Sequence, residues 1–183
     1  FHRDVKPGNI MISYGGDIKL VDFGLAKMLQ EQKLSVNREE FKGSAHFVSP
    51  ENVEGRPVDI QNDVYALGTT IYYLATGRRP FAGETVEQTL HAQVHQQPRP
   101  ARQVCGELTA DFSQLLDRML AKAPGDRPSP QEVMLAFGDI LPSGHEARQQ
   151  VREKKDLGSA IGDPDDPNAT QDSLLARRVR VPH

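Results

Sequence analysis

The sequence predicts a mainly α-helical fold, in which a small β-hairpin precedes a helical bundle around a buried central helix. Three observations support this: two short apolar runs flank a Gly-Gly pair, helical periodicity begins near residue 59, and large apolar residues become sparse after Pro142. With 183 residues the chain can hold one domain with a real core. We expect that domain to span residues 1–141 and residues 142–183 to form a disordered tail.

The hairpin is predicted from the first apolar runs. Residues 10–12 and 18–21 are rich in isoleucine, and the turn sequence Y-G-G-D lies between them at residues 14–17. Residues 24–56 then show no sustained periodicity and are punctuated by glycine and proline. We expect them to form a long loop, and long loops in compact domains are usually functional or disordered.

The central helix is predicted over residues 59–76. Its apolar residues recur at helical spacing, and the flanking alanines and tyrosines leave little polar face, so the helix should be buried. Gly77 supplies a stop signal, and Pro80 lies just beyond it.

A second helix is predicted from Thr85 to about His95. Thr85 and Gln88 have the spacing of a capping box, in which each side chain bonds the other residue's backbone amide. Pro98 and Pro100 follow, and we expect a loop there.

Two more helices are predicted near the end of the domain. Thr109 is the expected N-cap of an amphipathic helix over residues 112–120. Ser129, a proline at the next position and Glu132 form a strong helix start, and this helix should run to Ile140.

Composition excludes several classes of protein. The chain is 37% hydrophobic and 26% charged with a net charge of −3, which gives no sign of a nucleic-acid partner. No apolar run is long enough to span a bilayer, and the single cysteine, Cys105, cannot form an internal disulfide. We therefore expect a cytoplasmic protein in a reducing compartment.

The motifs point to chemistry more sharply than the composition does. Residues 2–9 read H-R-D-V-K-P-G-N, which resembles the catalytic loop H-R-D-L-x-x-x-N of protein kinases. The resemblance implies that Asp4 accepts the proton of the substrate hydroxyl and that Lys6 reaches the γ-phosphate of ATP. It also implies that Asn9 offers an amide oxygen to Mg²⁺.

The second motif is D-F-G at residues 22–24, directly after the predicted hairpin. In protein kinases the aspartate of this element holds Mg²⁺ against the nucleotide phosphates, so the resemblance assigns Asp22 to metal and ATP binding. The hairpin would bring Asn9 and Asp22 to the same mouth.

The third motif is G-S-A-H-F-V-S-P-E at residues 43–51, which is similar to the family's G-T-x-x-Y-x-A-P-E. The resemblance implies that the Ser44 hydroxyl bonds the catalytic aspartate and lysine, as it does in Ser/Thr kinases. It also implies a buried structural pair between Glu51 and Arg127.

Two further motifs follow in order. Residues 63–68 resemble the start of the family's central helix, where Asp63 would accept backbone hydrogen bonds from the catalytic loop and His2 and Arg3 would give structural support. Residues 76–81 read T-G-R-R-P-F, which resembles the family's next element. Five ordered motifs identify the chain as the C-terminal lobe of a Ser/Thr protein kinase of the bacterial, eukaryotic-like type.

The activation segment has two candidate regulatory residues. Arg3 resembles the arginine that holds a phosphorylated activation loop in related kinases. Glu40 occupies the usual phosphosite and could give Arg3 a standing carboxylate, although plain solvated loop charges explain it as well. Ser35 is the other candidate phosphosite.

The resemblance implies a protein that transfers the γ-phosphate of ATP to Ser/Thr hydroxyls of protein substrates, with Mg²⁺. The sequence contains no Gly-rich phosphate loop and no V-A-I-K strand lysine, so the N-terminal lobe is missing. The alternative is a truncated, non-catalytic lobe that acts as an interaction module.

Overall fold

The computed structural model describes residues 1–22 and 43–140. The predicted tail at 142–183, and the Phe23–Gly24, Ser35 and Glu40 positions, lie outside these described residues. Within them the protein is mainly helical with one two-stranded antiparallel sheet, as the sequence predicts.

The sheet consists of β1 (Ile10–Ile12) and β2 (Ile18–Leu20), preceded by a 3₁₀ turn at Pro7–Asn9. Ile10 pairs with Leu20 and Ile12 with Ile18. Gly16 has a φ of +86°, which glycine adopts without a Cβ penalty. The predicted hairpin is therefore confirmed.

In the described part of the chain, six helices form most of the core. They are α1 (Pro50–Val53), α2 (Ile60–Thr76), α3 (Val86–His95), α4 (Ala101–Val104), α5 (Ala110–Met119) and α6 (Pro130–Ile140). Short 3₁₀ turns lie at Ala45–Phe47 and Pro124–Asp126.

Helix α2 is the buried centre of the bundle, as predicted. The Asp59 side chain caps its first turn, and Gly77 ends it in the left-handed conformation with its amide bonded to the Tyr73 carbonyl. Gly68 allows close packing on α5, because a Cβ at Gly68 would lie 2.9 Å from Cβ of Met119.

The predicted caps of the other long helices are also present. Thr85 and Gln88 form the full capping box of α3, and Thr109 caps α5. Ser129 and Glu132 exchange side-chain to backbone hydrogen bonds at the start of α6. Each pair satisfies amides that the first helical turn leaves without intrahelical partners.

One prediction of loop was wrong in part, and one short helix was missed. The predicted loop at 24–56 contains the turn Ala45–Phe47 and helix α1, because Ser49 caps the proline-initiated turn that follows it. The loop predicted at Pro98 and Pro100 is present, and the one-turn helix α4, which was not predicted, begins directly after it with Ala101 fully buried in the core. Elements of one turn are too short to produce a periodic pattern in sequence.

Candidate active site

The predicted catalytic loop, residues 2–9, is joined to the helical bundle by hydrogen bonds to Asp63. The carboxylate of Asp63, on the first turn of α2, accepts hydrogen bonds from the backbone amides of His2 and Arg3, the latter at 2.7 Å. Arg3 has a φ of +71°, a conformation that costs a non-glycine residue about 1–3 kcal/mol. The two amide bonds to Asp63 hold the backbone in that conformation.

His2 joins the loop to the hairpin. Its Nε2 lies 2.8 Å from the carbonyl oxygen of Val21, and the Val21 amide donates to the carbonyl of Asn9 at 2.9 Å. Asp22 follows directly, exposed and with a φ of +63°. His2 thereby fixes the chain immediately before Asp22, next to the loop that carries Asp4 and Asn9.

Asp4, Lys6, Asn9 and Ser44 form one hydrogen-bonded cluster. The Lys6 ammonium lies 2.9 Å from the Asp4 carboxylate and donates to the Ser44 hydroxyl at 3.0 Å. The Asn9 amide group donates to both the carboxylate and the backbone carbonyl of Asp4, at 2.9 and 2.8 Å. The structure thus brings together residues up to 40 positions apart, and Ser44 reaches Asp4 through the shared ammonium.

This cluster is open to solvent on one side. The side chains of Lys6 and Asp4 keep 27% and 31% of their surface exposed, so a solute can approach the carboxylate. The contact between Lys6 and Asp4 is a polar pair at the mouth of the site and is not part of the bundle core.

The donor set suits magnesium. Because the NH₂ group of Asn9 is engaged by Asp4, its amide oxygen is the atom left to accept or coordinate. Asp22 adds an exposed carboxylate, and Mg²⁺ in nucleotide sites takes one or two such protein oxygens together with substrate phosphates. Among the described residues no group of three or more His, Cys, Asp and Glu side chains could hold a metal by itself.

The turn that carries Ser44 is held from below by the bundle. Gln93 of α3, fully buried, donates from its side chain to the carbonyl of His46 at 2.7 Å. The His46 ring lies between the Phe81 carbonyl, 3.4 Å from Nδ1, and the guanidinium of Arg79, 2.8 Å from Nε2. Sequence reasoning missed Gln93, because a single polar residue inside an amphipathic helix gives no motif.

Glu51 and Arg127 lie together in the core. The guanidinium of Arg127 donates to both carboxylate oxygens of Glu51 at 2.8 Å, and both side chains are almost fully buried. Burial raises the pKa of Glu51, but the hydrogen bonds and charge of Arg127 outweigh that effect and hold it below the ordinary value. Further donors of Arg127 bond the carbonyls of Gln61, Ala121 and Lys122, so the pair ties α1 to the segments around it.

Lys122 is the second cation near this pair. Its ammonium donates to the backbone carbonyl of Gln93 at 2.6 Å and lies 3.7 Å from the ring centre of Phe81. Burial, and after it the charge of Arg127, lower the pKa of Lys122 to about 8.

The described structure shows one ring contact of the Arg3 side chain. Its guanidinium lies over the ring of Phe1, 4.6 Å from the centroid. The proposed partners Glu40 and Ser35 lie outside the described residues.

Among the residues that the structure does describe, no helix is long and apolar enough to cross a membrane.

Comparison with known proteins gives a consistent result. The protein kinase domain family matches residues 1–136. A probable serine/threonine-protein kinase of Corynebacterium efficiens is 36% identical over 145 residues, which cover 76% of this chain and 22% of the relative. The serine/threonine-protein kinases PknB of Mycolicibacterium smegmatis and Mycobacterium tuberculosis are 37% and 38% identical over 127 residues, covering 69% of this chain and 20% of each relative. The chain spans about a fifth of the length of these curated relatives.

Proposed function

This chain belongs to the protein kinase domain family and to its serine/threonine kinases, and on that premise we propose that the protein carrying it phosphorylates proteins. In this proposal the γ-phosphate of ATP is transferred to the hydroxyl of a serine or threonine on a protein substrate. The observation that carries the proposal is the contact of Lys6 with both Asp4 and Ser44, at 2.9 and 3.0 Å.

Asp4 is the proposed catalytic base. The acceptor hydroxyl oxygen attacks the γ-phosphorus, its proton passes to the Asp4 carboxylate, and the bond to the leaving ADP oxygen breaks. One hydrogen bond from Asn9 orients the Asp4 carboxylate and a second holds the Asp4 backbone carbonyl, and the carboxylate is exposed enough for a hydroxyl to reach it. Such proton transfer typically contributes about 10²–10⁴-fold to a rate.

Lys6 and Ser44 are proposed to act on charge and placement. The Lys6 ammonium offsets the negative charge that spreads over the transferring phosphoryl oxygens. The Ser44 hydroxyl holds Lys6 beside Asp4, and it lies on the turn that faces the incoming protein segment in this proposal. Ser44 also supports serine/threonine over tyrosine as the acceptor class.

Asn9 and Asp22 are the proposed magnesium ligands, through the amide oxygen and the carboxylate respectively. Mg²⁺, when bound, would neutralise charge on the phosphate oxygens. His2, Arg3 and Asp63 hold the loop, and Glu51 with Arg127 hold the bundle beneath it.

The test is phosphate transfer by the natural full-length protein. Incubated with Mg²⁺ and γ-labelled ATP, it should label a generic basic protein acceptor on serine or threonine, and omission of Mg²⁺ should abolish labelling. Asp22→Asn should raise the Mg²⁺ concentration needed for half-maximal labelling, whereas Asp17→Asn, in the exposed hairpin turn, should not. Labelling on tyrosine alone would contradict the acceptor class.

The alternative function, a non-catalytic interaction module, predicts a different outcome. The wild-type protein would then transfer no phosphate at any Mg²⁺ or ATP concentration. Thermal stabilisation by Mg·ATP would also be absent, since a ligand stabilises a protein by RT ln(1 + [L]/Kd).

A further inference from the structure

We infer that Gln93 is a positioning residue for the proposed reaction: it fixes the turn Ala45–Phe47 so that the Ser44 hydroxyl stays against Lys6 and the protein acceptor is aligned. This inference rests on the proposed function and deepens it. It names a residue of helix α3 that lies outside the kinase motifs. Gln93 touches no reacting group itself and would act through Ser44.

Every polar group of the Gln93 side chain has a partner. Its Nε2 donates to the carbonyl of His46 at 2.7 Å and lies 3.3 Å from that of Ala45. Its Oε1 accepts from the Tyr65 hydroxyl at 2.6 Å. Gln93, Tyr65 and Ala45 are each no more than 1% exposed, so water cannot replace these bonds.

The orientation of the Gln93 amide is set by its neighbours. The Lys122 ammonium can only donate. It lies 3.4 Å from the Tyr65 hydroxyl oxygen and 2.6 Å from the backbone carbonyl oxygen of Gln93. The Tyr65 proton is therefore free to point at Oε1 of Gln93. That leaves Nε2 facing the turn, where two carbonyl oxygens need donors.

The turn transmits this placement to the proposed active site. His46 lies two residues beyond Ser44, and Ser44 is the N-cap residue directly before the 3₁₀ turn Ala45–Phe47, with φ −75°. Ser44 bonds Lys6 across a separation of 38 residues, and Lys6 bonds Asp4. A shift of the His46 carbonyl would move Ser44 with it, and misplacement by about 1 Å can cost about 10²-fold in rate.

A purely stabilising role for Gln93 makes a different prediction, and Thr70 provides the matched control. Thr70 is fully buried on α2, and its hydroxyl bonds the Ala66 carbonyl of the same helix at 2.8 Å. Thr70→Val and Gln93→Met each remove a buried hydrogen-bonding group while keeping side-chain volume. Only Gln93→Met removes the amide that donates to the carbonyls of Ala45 and His46.

The experiment measures steady-state kinetics of the natural full-length protein with these two substitutions. Gln93→Met should lower kcat/KM for the protein acceptor about tenfold to a hundredfold, while KM for ATP stays within about twofold of wild type. Thr70→Val should change neither kcat/KM for the acceptor nor KM for ATP. A rise in KM for ATP as large as the fall in kcat/KM for the acceptor would overturn the inference. Wild-type kinetics in Gln93→Met would overturn it too.

Amide hydrogen exchange on the same proteins separates this inference from the proposed function. Residues 44–48 should exchange faster in Gln93→Met than in wild type or Thr70→Val. If the wild-type protein transfers no phosphate, the proposed function fails, and unchanged exchange in 44–48 would then refute positioning of the turn as well. If Gln93→Met does not fold, Tyr65→Phe removes only the hydroxyl that orients the amide and should give the same exchange pattern more weakly; no change there would also overturn the inference.

Discussion

The helical bundle and the hairpin edge of this protein are held by different interactions. In the bundle, Tyr72, Leu116 and Met119 are no more than 1% exposed and pack on one another. On the edge, Met11 and Ile18 are 58% and 69% exposed in the described structure, and the loop at residues 2–9 is joined to the bundle by hydrogen bonds to Asp63.

Stability and the proposed chemistry depend on different regions of the molecule. Residues proposed to act on phosphate or metal, such as Asp4 and Asp22, lie at the edge, whereas the groups that fix them are rooted in the bundle, such as Asp63 and Gln93. Strained backbone at Arg3 and Asp22 occurs only at that edge among the described non-glycine residues. Substitutions in the two regions should therefore have separable effects.

The largest expected effect on stability is that of Glu51→Ala in the bundle. Loss of the carboxylate leaves the buried Arg127 charge without its ionic partner, and we expect the free energy of unfolding to fall by about 3–5 kcal/mol. Urea unfolding measures it. The control is Glu54→Ala, which removes the exposed ion pair with Arg56 and should cost no more than about 1 kcal/mol. Similar costs for the two variants would contradict the assignment of Glu51 to the core.

A pair of glycine substitutions tests the packing of the bundle. Gly68→Ala places a methyl group 2.9 Å from Cβ of Met119 and should destabilise the fold by about 1–3 kcal/mol. Gly138→Ala, on α6, meets nothing within 4 Å and should stabilise by up to about 1 kcal/mol, because alanine favours helix. The thermal midpoints should move in opposite directions. A thermal midpoint that also rises in Gly68→Ala would show that α2 and α5 are not so closely packed.

The smallest effect concerns pH and Lys122. The folded-state pKa of Lys122 is lowered to about 8, whereas an unfolded lysine titrates near 10.4. Between about pH 8 and 10 the unfolded chain binds more protons, so Lys122 makes the free energy of unfolding rise with pH in that window. Urea unfolding at several pH values should show this rise in wild type and a smaller one in Lys122→Met. Identical slopes would contradict the burial of Lys122.

Much of the bundle was predictable from the sequence because its helices carry local signals. Thr85 with Gln88 and Ser129 with Glu132 are caps within one turn, and their geometry depends on neighbouring residues alone. The one-turn helices α1 and α4 were missed, since four residues cannot show a period.

The candidate site divides in the same way. Asp4, Lys6 and Asn9 lie within one motif, and order along the chain was enough to group them with Ser44, while the grouping with Asp22 stays a prediction. Gln93 could not be predicted, because its role depends on Tyr65 and His46, which are 28 and 47 residues away. The φ of Arg3 also depends on a distant carboxylate, that of Asp63.

We propose that the hairpin edge carries the chemistry, and the helical bundle carries most of the stability. The decisive measurement is the phosphate-transfer rate of Asp4→Asn in the natural full-length protein, expressed per folded molecule. The substitution keeps the shape of a partly exposed side chain and removes the proposed base, so the rate should fall by about 10²–10⁴-fold while the unfolding midpoint stays near that of wild type. A rate close to that of wild type, or a loss that merely follows unfolding, would contradict the account.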